Sequence, residues 1–422
     1  MYKFGMLIYR LAGKLFFALG GKIILRRKYR NDISERMGII QDCPKNCIWV
    51  HAVSVGEVQS ASSLIHRIKS RTDRPCIIST VTATGRNVAE KLLANDVAKI
   101  IYSPWDLRKF VERAIDSIQP YIYITMETEL WPEIIAQLHS RNVPIFLANG
   151  RISERSFRSL KRTARFWRGV LGNFAKLMVR FNEDKRKFVA LGVPDEKIFV
   201  TGDCKVDTLF DRKVHTNQTL GDKWQWLRDG ASYLFVAGST HQGEDDVVVS
   251  AFRILLKKFP DAKLVIVPRH PERALMSIAS VLPYSEMHAE LLSSLESDNS
   301  KNFNVVIIDR IGVLFELYAV ADSVFVGGSL VQKGGQNPFE PALFGKAAIH
   351  GPSMTDFPDT ERMDNMGAAI CVHNDLELAL AWENSVSEIS REKARDSCEK
   401  YFATLGGAAE KTWNEIELAI NN

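Results

Sequence analysis

Two polar side chains three residues apart, Asn337 and Glu340, follow a glycine-rich stretch that contains Gly334 and Gly335. The apolar run 323–329 before it predicts a buried strand. Residues at i and i+3 share one face of a helix, so an amide and a carboxylate at a strand exit are suited to the hydroxyls of a sugar or a ribose. Glycines let a ligand approach the backbone, and the N–H groups of a helix start favour phosphate. The alternative is a glycine-rich turn that Asn337 caps.

Three carboxylates in the first half of the chain follow predicted strands. Glu57 comes after the apolar run 47–53 at the start of a predicted helix, and Glu127 and Glu129 follow the run 121–125. The helix dipole favours an ionised Glu57, which makes it a weaker base and makes positioning decisive for any proton transfer. The alternative for Glu57 is a helix cap. Glu127 and Glu129 would share a face if their strand extended that far.

Cations at other strand ends suit an anionic substrate. Lys205 ends the last apolar segment of the first half, and Arg269 follows Pro268 at the exit of another predicted strand. Arginine forms paired hydrogen bonds with phosphate, so Arg269 is a candidate phosphate ligand. His241 and His270 are interpreted as locally hydrogen-bonded residues.

Two further loops lie at strand exits of the second half. Ser239 and Thr240 bring hydroxyls and backbone N–H groups that suit an anion. Ile311, Gly312 and Val313 form a loop that could close over a nucleotide base. Both loops are predicted to contact the same ligand as the Asn337 segment.

The sequence predicts no metal site. No two aspartates are separated by a single residue, so the Asp-x-Asp metal clamp of many sugar-nucleotide enzymes is absent. Charge on a leaving phosphate would then be met by Arg269, Lys205 and helix N-termini. Cys43 and Cys47 lack the additional ligands of a tetrahedral zinc site.

From residue 45 onward, short apolar strands alternate with helical segments, which predicts parallel sheets covered on both faces. A polar, tryptophan-containing connection at 211–230 interrupts this rhythm. We therefore predict a first domain at 29–210, a linker at 211–230 and a second domain at 231–403. Ligands of such folds bind beyond the carboxyl ends of the strands, so two facing domains would form a cleft.

Composition places the chain among ordinary globular proteins. It has 422 residues, 46% of them hydrophobic and 25% charged, and a net charge of +5 that gives no indication of nucleic-acid binding. Six scattered cysteines lack the density of a disulfide framework. The prediction is a reduced protein in the cytosol.

Residues 1–28 are amphipathic and basic. Lys3, Arg10, Lys14 and Lys22 interrupt the apolar residues, so the segment lacks the ~20 consecutive apolar residues of a membrane-spanning helix. The pattern predicts a helix lying on an anionic membrane surface, with its basic side chains reaching lipid headgroups. The alternative is a helix that packs on the protein itself. A cleaved signal peptide is not favoured, because no small-residue cleavage site follows.

Together these motifs resemble the 3-deoxy-D-manno-octulosonic acid (Kdo) transferases of lipopolysaccharide biosynthesis. The resemblance begins in the basic N-terminal segment and continues in order along nearly the whole chain. Its motifs lie at 34–38, 51–57, 126–132, 149–153, 202–207, 239–244, 268–273 and 327–341.

The resemblance implies a GT-B glycosyltransferase, an α/β fold of two Rossmann-like, doubly wound domains facing across a cleft. Residues 404–422 would be a C-terminal helix returning to the first domain. The implied reaction moves Kdo from CMP-Kdo to the lipid A precursor, lipid IVA, on the cytoplasmic side of the inner membrane. It inverts the configuration of the transferred sugar and uses no metal or other cofactor at the transfer step.

The resemblance also assigns roles to residues. Glu57 would be the general base, and Glu127 and Lys205 would stabilise the transition state. The implied CMP contacts are Pro268, Arg269, Ile311, Gly312, Val313, Asn337, Pro338, Phe339 and Glu340.

The chain departs from the family pattern at two positions. Gln336 replaces the usual histidine, and Val313 replaces a glutamate, which removes a carboxylate that could contact the nucleotide. Two alternatives remain: a GT-B enzyme that uses a UDP-sugar for another envelope acceptor, and an inactive nucleotide-binding scaffold at the membrane. Intact Glu57 and Glu127 argue against the scaffold.

Overall fold

The computed structural model describes residues 2–21, 32–297 and 303–421, which form two compact α/β units. Unit 1 comprises residues 1–208 and 405–422, and unit 2 comprises residues 209–404. Each unit contains one seven-stranded sheet in which every pair of neighbouring strands is parallel. The predicted fold class of two parallel-sheet α/β domains is confirmed.

The sheet of unit 1 has the strand order β3-β2-β1-β4-β5-β6-β7. Its strands are β1 (Ile48–His51), β2 (Cys76–Thr80), β3 (Lys99–Tyr102), β4 (Ile122–Met126), β5 (Ile145–Gly150), β6 (Lys176–Val179) and β7 (Ile198–Val200). The helices assigned wholly to this unit are α1 (Tyr2–Phe16), α2 (Ile33–Arg36), α3 (Val55–Arg71), α4 (Ala83–Leu93), α5 (Arg108–Ile118), α6 (Pro132–Ser140), α7 (Glu154–Arg162), α8 (Ala164–Leu171), α9 (Asn182–Ala190) and, after unit 2, α19 (Ala408–Asn421). Helix α10 (Cys204–Thr219) begins in unit 1 and continues into unit 2.

The sheet of unit 2 has the order β10-β11-β9-β8-β12-β13-β14. Its strands are β8 (Leu234–Thr240), β9 (Lys263–Pro268), β10 (Ala289–Leu291), β11 (Val305–Ile307), β12 (Ser323–Val326), β13 (Ala348–His350) and β14 (Ala369–Cys371). Its helices are α11 (Asp245–Leu256), α12 (Ala274–Val281), α13 (Leu292–Ser297), α14 (Leu314–Val320), α15 (Phe339–Leu343), α16 (Thr360–Met366), α17 (Asp375–Ser385) and α18 (Glu388–Ala403).

The strands are predominantly apolar because both faces of each sheet are covered. In β1, Trp49 packs in one core cluster while Ile48 and Val50 pack in another on the opposite face. Successive strand residues point to opposite faces, so a strand with two buried faces needs an unbroken apolar run. Such apolar runs in the sequence predict where these strands lie.

Three strands escaped sequence prediction: β7, β10 and β14. Each has three residues and is an edge strand of its sheet, β7 in unit 1 and the other two in unit 2. An edge strand pairs on one side only and three residues give no periodicity to detect. Their sequences therefore resemble those of the surrounding loops.

Helix α1 packs on unit 1 through one face. Met6 is buried, and Gly5 and Gly169 let the backbones of α1 and α8 approach closely. A Cβ atom at Gly5 would lie 2.5 Å from the ring of Phe166, and one at Gly169 would lie 2.4 Å from the ring of Tyr2. Larger residues at either glycine would push the helix away.

Two polar contacts fix the register of α1. The Tyr9 hydroxyl donates to Asp106 Oδ2 at 2.7 Å, and Arg10 donates from Nε and Nη2 to the Glu133 carboxylate at 2.7 and 3.1 Å. The expectation that the Arg10 side chain reaches lipid headgroups is wrong, because it is committed to a carboxylate that is 1% exposed. Lys22, Arg26, Arg27 and Lys28 of the predicted helix lie outside the described residues.

The opposite face of α1 and the following turn is apolar and exposed. Each of its members is more than half exposed: Phe4, Leu7, Ile8, Leu11, Leu15, Phe16 and Leu19. Among the described residues, no helix has the length and apolar character needed to cross a bilayer. The helix thus combines a docked face with an unpartnered apolar one.

Residues 211–230, expected as a linker, contain the second half of α10 and a 3₁₀ turn at Gln225–Arg228. Further on, α19 belongs to unit 1, where Trp413 and Ile416 are buried in its core. The Asp207 carboxylate accepts hydrogen bonds from the backbone N–H groups of Gly407 and Ala409 at 2.8 and 2.7 Å. These bonds satisfy donors at the start of α19 that no helical carbonyl can reach.

Candidate active site

Glu57 lies in the first turn of α3, directly beyond the carboxyl end of β1. Its Oε2 accepts the N–H of Val53 and its Oε1 accepts the hydroxyl of Ser54, both at 2.9 Å. These two bonds tie the Glu57 carboxylate to the residues just before α3, so the helix-cap interpretation holds as local structure. Each carboxylate oxygen has a second lone pair, so capping leaves Glu57 able to accept a further proton.

The electrostatic expectation for Glu57 is wrong in direction. The helix dipole predicts a stabilised carboxylate and a weak base, but burial raises the pKa of Glu57, and the neighbouring Glu127 adds to the increase. The bonds from Val53 and Ser54 and the Lys205 cation act the other way without offsetting burial. Because the residue is only 7% exposed, desolvation outweighs the dipole. Glu57 is therefore a stronger base than an ordinary surface glutamate.

Glu127 and Lys205 form an ion pair beside Glu57. Lys205 Nζ lies 3.0 Å from Glu127 Oε1, and an added Cβ at Gly56 would lie 3.7 Å from the same Nζ. Arg151 Nε lies 3.5 Å from Glu127 Oε2. Lys205 lies in the first turn of α10, so the start of that helix places an ammonium group next to the start of α3.

Glu127 and Glu129 do not share a strand face, because β4 ends at Met126. Glu127 has a φ of 52°, in the left-handed region that side-chain-bearing residues rarely adopt. Strain of this kind persists where surrounding contacts hold it, and here the Glu127 N–H donates to Ala148 O at 2.9 Å. The left-handed turn directs the carboxylate to Lys205.

Glu129 is a residue whose importance sequence reasoning underestimated. Burial raises its pKa to about 7, with Glu57 as the next contribution, while the Trp131 Nε1–H bond to Oε2 at 3.0 Å lowers it. Two carboxylates with raised pKa values in one place are characteristic of sites that move protons. Only the tertiary fold shows that Glu129 lies near Glu57, since they are far apart in the chain.

Asn149 fixes the position of the helix start that carries Lys205. It is fully buried with a φ of 53°, and its Oδ1 accepts the N–H of Cys204 at 2.9 Å, which fixes the start of α10 next to Lys205. Its Nδ2 has no hydrogen-bond partner among the described residues. The motif that contains Asn149 and Arg151 was visible in the sequence, but nothing in it indicated these contacts.

His51 is buried at the end of β1. Its Nδ1 lies 2.8 Å from Ser79 Oγ, and burial lowers its pKa to about 4. A neutral imidazole at physiological pH carries no charge to the site. We interpret His51 as part of the wall of the site.

In unit 2, the loop Ser239–Glu244 contributes one of four backbone N–H groups that a carboxylate already binds. The fully buried Glu244 carboxylate accepts the N–H groups of His241, Gly328, Ser329 and Leu330 at 2.7 to 2.9 Å. A carboxylate therefore already occupies the nest that was expected for a phosphate. Its role is to hold the exits of β8 and β12 together.

Ser239 and Thr240 lie at the end of β8, where Ser239 is half-buried and Thr240 is buried. Ser239 has a φ of 55°, and a Cβ on Gly327 would lie 2.6 Å from its carbonyl oxygen, so only glycine fits opposite it. The Thr240 Oγ1 is buried and has no partner among the described residues. The Thr240 hydroxyl is the more distinctive of the two candidates.

Pro268 ends β9, and Arg269 follows with its backbone N–H bonded to Thr240 O at 2.9 Å. The structure thus brings Arg269 together with the Ser239–Thr240 loop, as the shared sheet edge predicts. Its side chain is exposed. A cation in that position is available to an anion that arrives from solvent.

The loop Ile311–Val313 stands in solvent. Ile311 is 80% exposed, Gly312 has a φ of 95° with no atom within 4 Å of an added Cβ, and Val313 caps α14. The loop has a structural contact at Val313, whose carbonyl accepts the N–H of Leu317 at 3.1 Å at the start of α14. Its proposed contact with a nucleotide base stays a prediction.

Asn337 and Glu340 are brought together at the start of α15, as predicted. Asn337 Oδ1 accepts the Phe339 N–H at 3.1 Å, which is the capping interpretation, and Pro338 is buried beside it. Glu340 Oε1 lies 3.3 Å from Arg212 Nη1, and burial raises the pKa of this glutamate. Arg212, which also lies 4.0 Å from the centre of the Phe315 ring, was missed because its segment was predicted as a linker.

Comparison with known proteins decides the family. The family model of the 3-deoxy-D-manno-octulosonic-acid transferases (kdotransferases) matches residues 31–208. The 3-deoxy-D-manno-octulosonic acid transferase of Haemophilus influenzae is 34% identical over 345 residues, which are 80% of this chain and 78% of that protein. The chain belongs to the Kdo transferase family. The enzyme of the same name from Bordetella pertussis is 27% identical over 88% of this chain and 86% of its own length.

Solved structures place this Kdo transferase among proteins of GT-B architecture. A glycosyltransferase from Rickettsia africae matches with a TM-score of 0.57 at 16% identity, covering 90% of this chain and 99% of that one. UDP-GlcNAc 2-epimerase from Neisseria meningitidis matches with a TM-score of 0.60 at 12% identity, covering 89% and 100%. At these identities the likeness concerns the fold alone.

Proposed function

We propose that this Kdo transferase moves Kdo from CMP-Kdo to a hydroxyl group of the lipid A precursor, lipid IVA, with Glu57 as the general base. The observation that carries the proposal is the environment of Glu57, a buried carboxylate of raised pKa beside the Glu127–Lys205 ion pair. Glycosyl transfer with inversion needs one base to remove the proton of the attacking hydroxyl.

The proposed reaction is a single displacement at the anomeric carbon of Kdo. The acceptor oxygen attacks the anomeric carbon of Kdo while its proton passes to Glu57, and the bond from that carbon to the CMP phosphate oxygen breaks. CMP leaves with the electron pair. Because only one displacement occurs, the configuration of the sugar inverts.

Glu127 and Lys205 act on the charges that develop in this step. A carboxylate near the reacting carbon stabilises the positive charge of the sugar, and the ammonium suits the sugar's own carboxylate. Their pairing also limits how far Lys205 lowers the pKa of Glu57, since the cation is partly neutralised. Glu57 therefore remains basic beside a lysine.

The donor contacts proposed in unit 2 are Arg269 for the phosphate, Ser239 and Thr240 at the neighbouring strand exit, and the loop Ile311–Val313 for the base. Asn337 to Glu340 would contact the ribose. We propose that no metal ion takes part in transfer. Among the described residues, no three histidine, cysteine, aspartate or glutamate side chains cluster in a way that would hold one.

We further propose that the enzyme works on the cytoplasmic face of the inner membrane, with α1 lying on the lipid surface. Support comes from the exposed apolar face of α1 and from Lys3 and Lys14, which are exposed on the same helix. An amphipathic helix docked to the protein by one face and apolar on the other suits a peripheral contact. A lipid-borne acceptor is reached most directly from that position.

The test is transfer from CMP-Kdo, generated in situ, to purified lipid A precursor, with mass spectrometry of the lipid to count the sugars added. A product with the wild type and a loss of at least about a hundredfold in rate with Glu57→Gln supports the reaction and the base. Wild type that binds CMP but makes no product would refute the proposed acceptor.

Thermal protection separates the donor classes. CMP is expected to raise the melting temperature, UDP is not, and Arg269→Gln is expected to weaken the CMP effect, whereas Lys257→Gln, an exposed lysine of the same unit, is expected to leave it unchanged. Protection by UDP but not CMP would favour a UDP-sugar transferase.

A further inference from the structure

Unit 2 contains a pocket at the edge of its sheet where strands β12, β13 and β14 begin. The lining residues Asp322, Lys346 and Gly367 lie one or two residues before the first residues of β12, β13 and β14. These three strands are parallel neighbours, so their amino ends lie at one edge. We call this cavity the amino-end pocket.

The amino-end pocket is separate from the donor contacts proposed above. Those contacts lie at or after the ends of β8, β9, β11 and β12, at the carboxyl edge of the same sheet. Strand β12 has four residues, which at ~3.3 Å per residue separates the two edges by ~13 Å. None of the donor residues lines the pocket.

The size of the pocket suits a small organic molecule. Its volume is about 730 Å³, within the ~300–1,000 Å³ of typical ligand sites. Phe344, Ile370 and Ala381 give part of its wall an apolar character. A ligand with a carbon skeleton as well as a polar group would fit this lining.

The charges around the pocket favour an anion. Four cations line it: Lys346, Arg391, Lys393 and Arg395. Its two carboxylates are already paired. Asp322 accepts from Arg228 and Arg391 and from the backbone N–H of Leu234, and Asp364 lies 3.0 Å from His350 Nε2. The exposed Lys393 and Arg395 have no ion-pair partner among the described residues, so positive charge predominates.

Two donors without partners belong to residues that line the pocket. Ser323, the first residue of β12, is 2% exposed and lines the pocket, and its hydroxyl has no hydrogen-bond partner among the described residues. Arg391 Nε is likewise buried and unpaired in the described structure. Lys346 Nζ uses one of its three donors on Ala319 O at 3.0 Å. A buried hydroxyl without a partner is costly, and an anionic ligand would relieve that cost.

We propose that the amino-end pocket binds a small phosphate ester, distinct from the sugar nucleotide. A phosphate accepts hydrogen bonds on three oxygens, which matches a guanidinium, an ammonium and a hydroxyl on one wall. The apolar wall would contact the carbon skeleton of the ester. The site would communicate with the donor region through α15, because Phe344 and Lys346 follow its last turn and Asn337 precedes its first.

Labelling with pyridoxal 5′-phosphate tests this site directly. The aldehyde condenses with a neutral lysine amine to give an imine and water, and borohydride reduces the imine to a stable amine. Lys346 is suited to this reaction because burial lowers its pKa to about 8. The full-length protein is labelled without donor or acceptor, and peptide mass spectrometry compares Lys346 with the exposed Lys257.

The expected result is labelling of Lys346 by pyridoxal 5′-phosphate at least about tenfold faster than by pyridoxal, which lacks the phosphate, a factor that one charge-assisted hydrogen bond supplies. Glycerol 3-phosphate should protect Lys346 but not Lys257. Ser323→Ala and Arg395→Gln should each reduce the preference, whereas Arg269→Gln should leave it unchanged.

Equal labelling by the two aldehydes, or no protection by glycerol 3-phosphate, would overturn the proposal and leave a reactive lysine without a phosphate site. Loss of the preference in Arg269→Gln would assign the effect to the donor region instead. Because no transfer is measured, a negative result here leaves the proposed Kdo transfer standing, and a failed transfer assay leaves this site standing.

Discussion

Glu57 and Glu377 occupy the same position in their helices, three residues after the capping residue, yet their pKa values shift in opposite directions. Both carboxylates accept the backbone N–H of the residue four positions earlier, Val53 and His373, at 2.9 Å. Burial raises the pKa of Glu57, whereas hydrogen bonds from His373 lower that of the exposed Glu377. The same capping geometry thus serves structure alone in one helix and is available for chemistry in the other.

This pair provides a matched test of the general base. Glu57→Gln is expected to lower kcat by about 10²–10⁴ with little change in melting temperature, because glutamine keeps the acceptor for the Val53 N–H but cannot take a proton. Glu377→Gln changes the equivalent cap and should leave kcat unaltered. The measurement is the initial rate of lipid product formation, with circular dichroism melting as the check on folding. An equal loss of rate in both variants would mean that capping, and not proton transfer, accounts for the effect.

The second prediction concerns pH. Glu57 must be deprotonated to act, so kcat/KM should fall as the pH drops through its raised pKa, at a pH above the ~4.3 of an ordinary glutamate. In Glu127→Gln the negative charge that helps to raise the pKa of Glu57 is lost, so that pKa falls and the acidic limb of the profile should move to lower pH. The profile is recorded from about pH 4 to 9.

The control for this shift is Glu154→Gln, which removes an exposed carboxylate of unit 1 that pairs with Lys187. Its profile should coincide with that of the wild type. An acidic limb that stays in place in Glu127→Gln would show that Glu57 and Glu127 do not interact in the working enzyme.

The third prediction concerns the docking of α1. Arg10→Met leaves the buried Glu133 with Gln137 Nε2 as its remaining side-chain donor, at 2.7 Å. Breaking a buried ion pair from one side costs about 3–5 kcal/mol, so the urea midpoint should fall and α1 should become sensitive to protease. Adding Glu133→Gln to Arg10→Met removes the unpaired charge and should recover part of the loss.

Lys14→Met serves as the comparison, since Lys14 lies on the same helix but is exposed. It should change the midpoint little. If the double variant is no more stable than Arg10→Met alone, the buried charge is not the source of the instability.

The fourth prediction concerns the exposed face of α1. Replacing Leu7, Leu11 and Leu15 by asparagine should weaken sedimentation with vesicles that contain anionic phospholipid by more than tenfold, since each buried leucine contributes about 1.5–3 kcal/mol. The melting temperature should not fall, because these side chains are exposed. Leu376→Asn with Leu380→Asn, two exposed leucines of α17, is the matched control. Equal loss in both variants would indicate general adhesion of apolar side chains instead of a membrane-facing helix.

Much of the fold was predictable because both faces of each sheet are buried and the longer strands are therefore predominantly apolar. β2, for example, has the bounds that its apolar run predicts. The three-residue edge strands β7, β10 and β14 were not, since too few residues are involved to show a pattern. Helix α10 was missed as a helix because its polar sequence packs at positions that only the tertiary structure defines.

For the candidate site, residue type and strand-exit position predicted Glu57, Glu127, Lys205 and Arg269 as functional residues, and their roles stay a prediction. The sign of the Glu57 pKa shift was not predictable, because it depends on burial and on Glu127 across the sheet. Equally, a glycine-rich loop with free N–H groups predicted an anion nest, but the sequence could not show that the side chain of Glu244 fills it. Such errors arise wherever a long-range contact outweighs a local preference.

The return of α19 to unit 1 has a consequence for synthesis on the ribosome. The N-terminal strands of unit 1 emerge first, but Trp413 and Ile416, which complete its core, are translated only after the whole of unit 2. Domains of nascent chains commonly fold in order from the N-terminus. Here the core of unit 1 keeps an exposed apolar groove until residues 209–404 have been synthesised and α19 can pack against it.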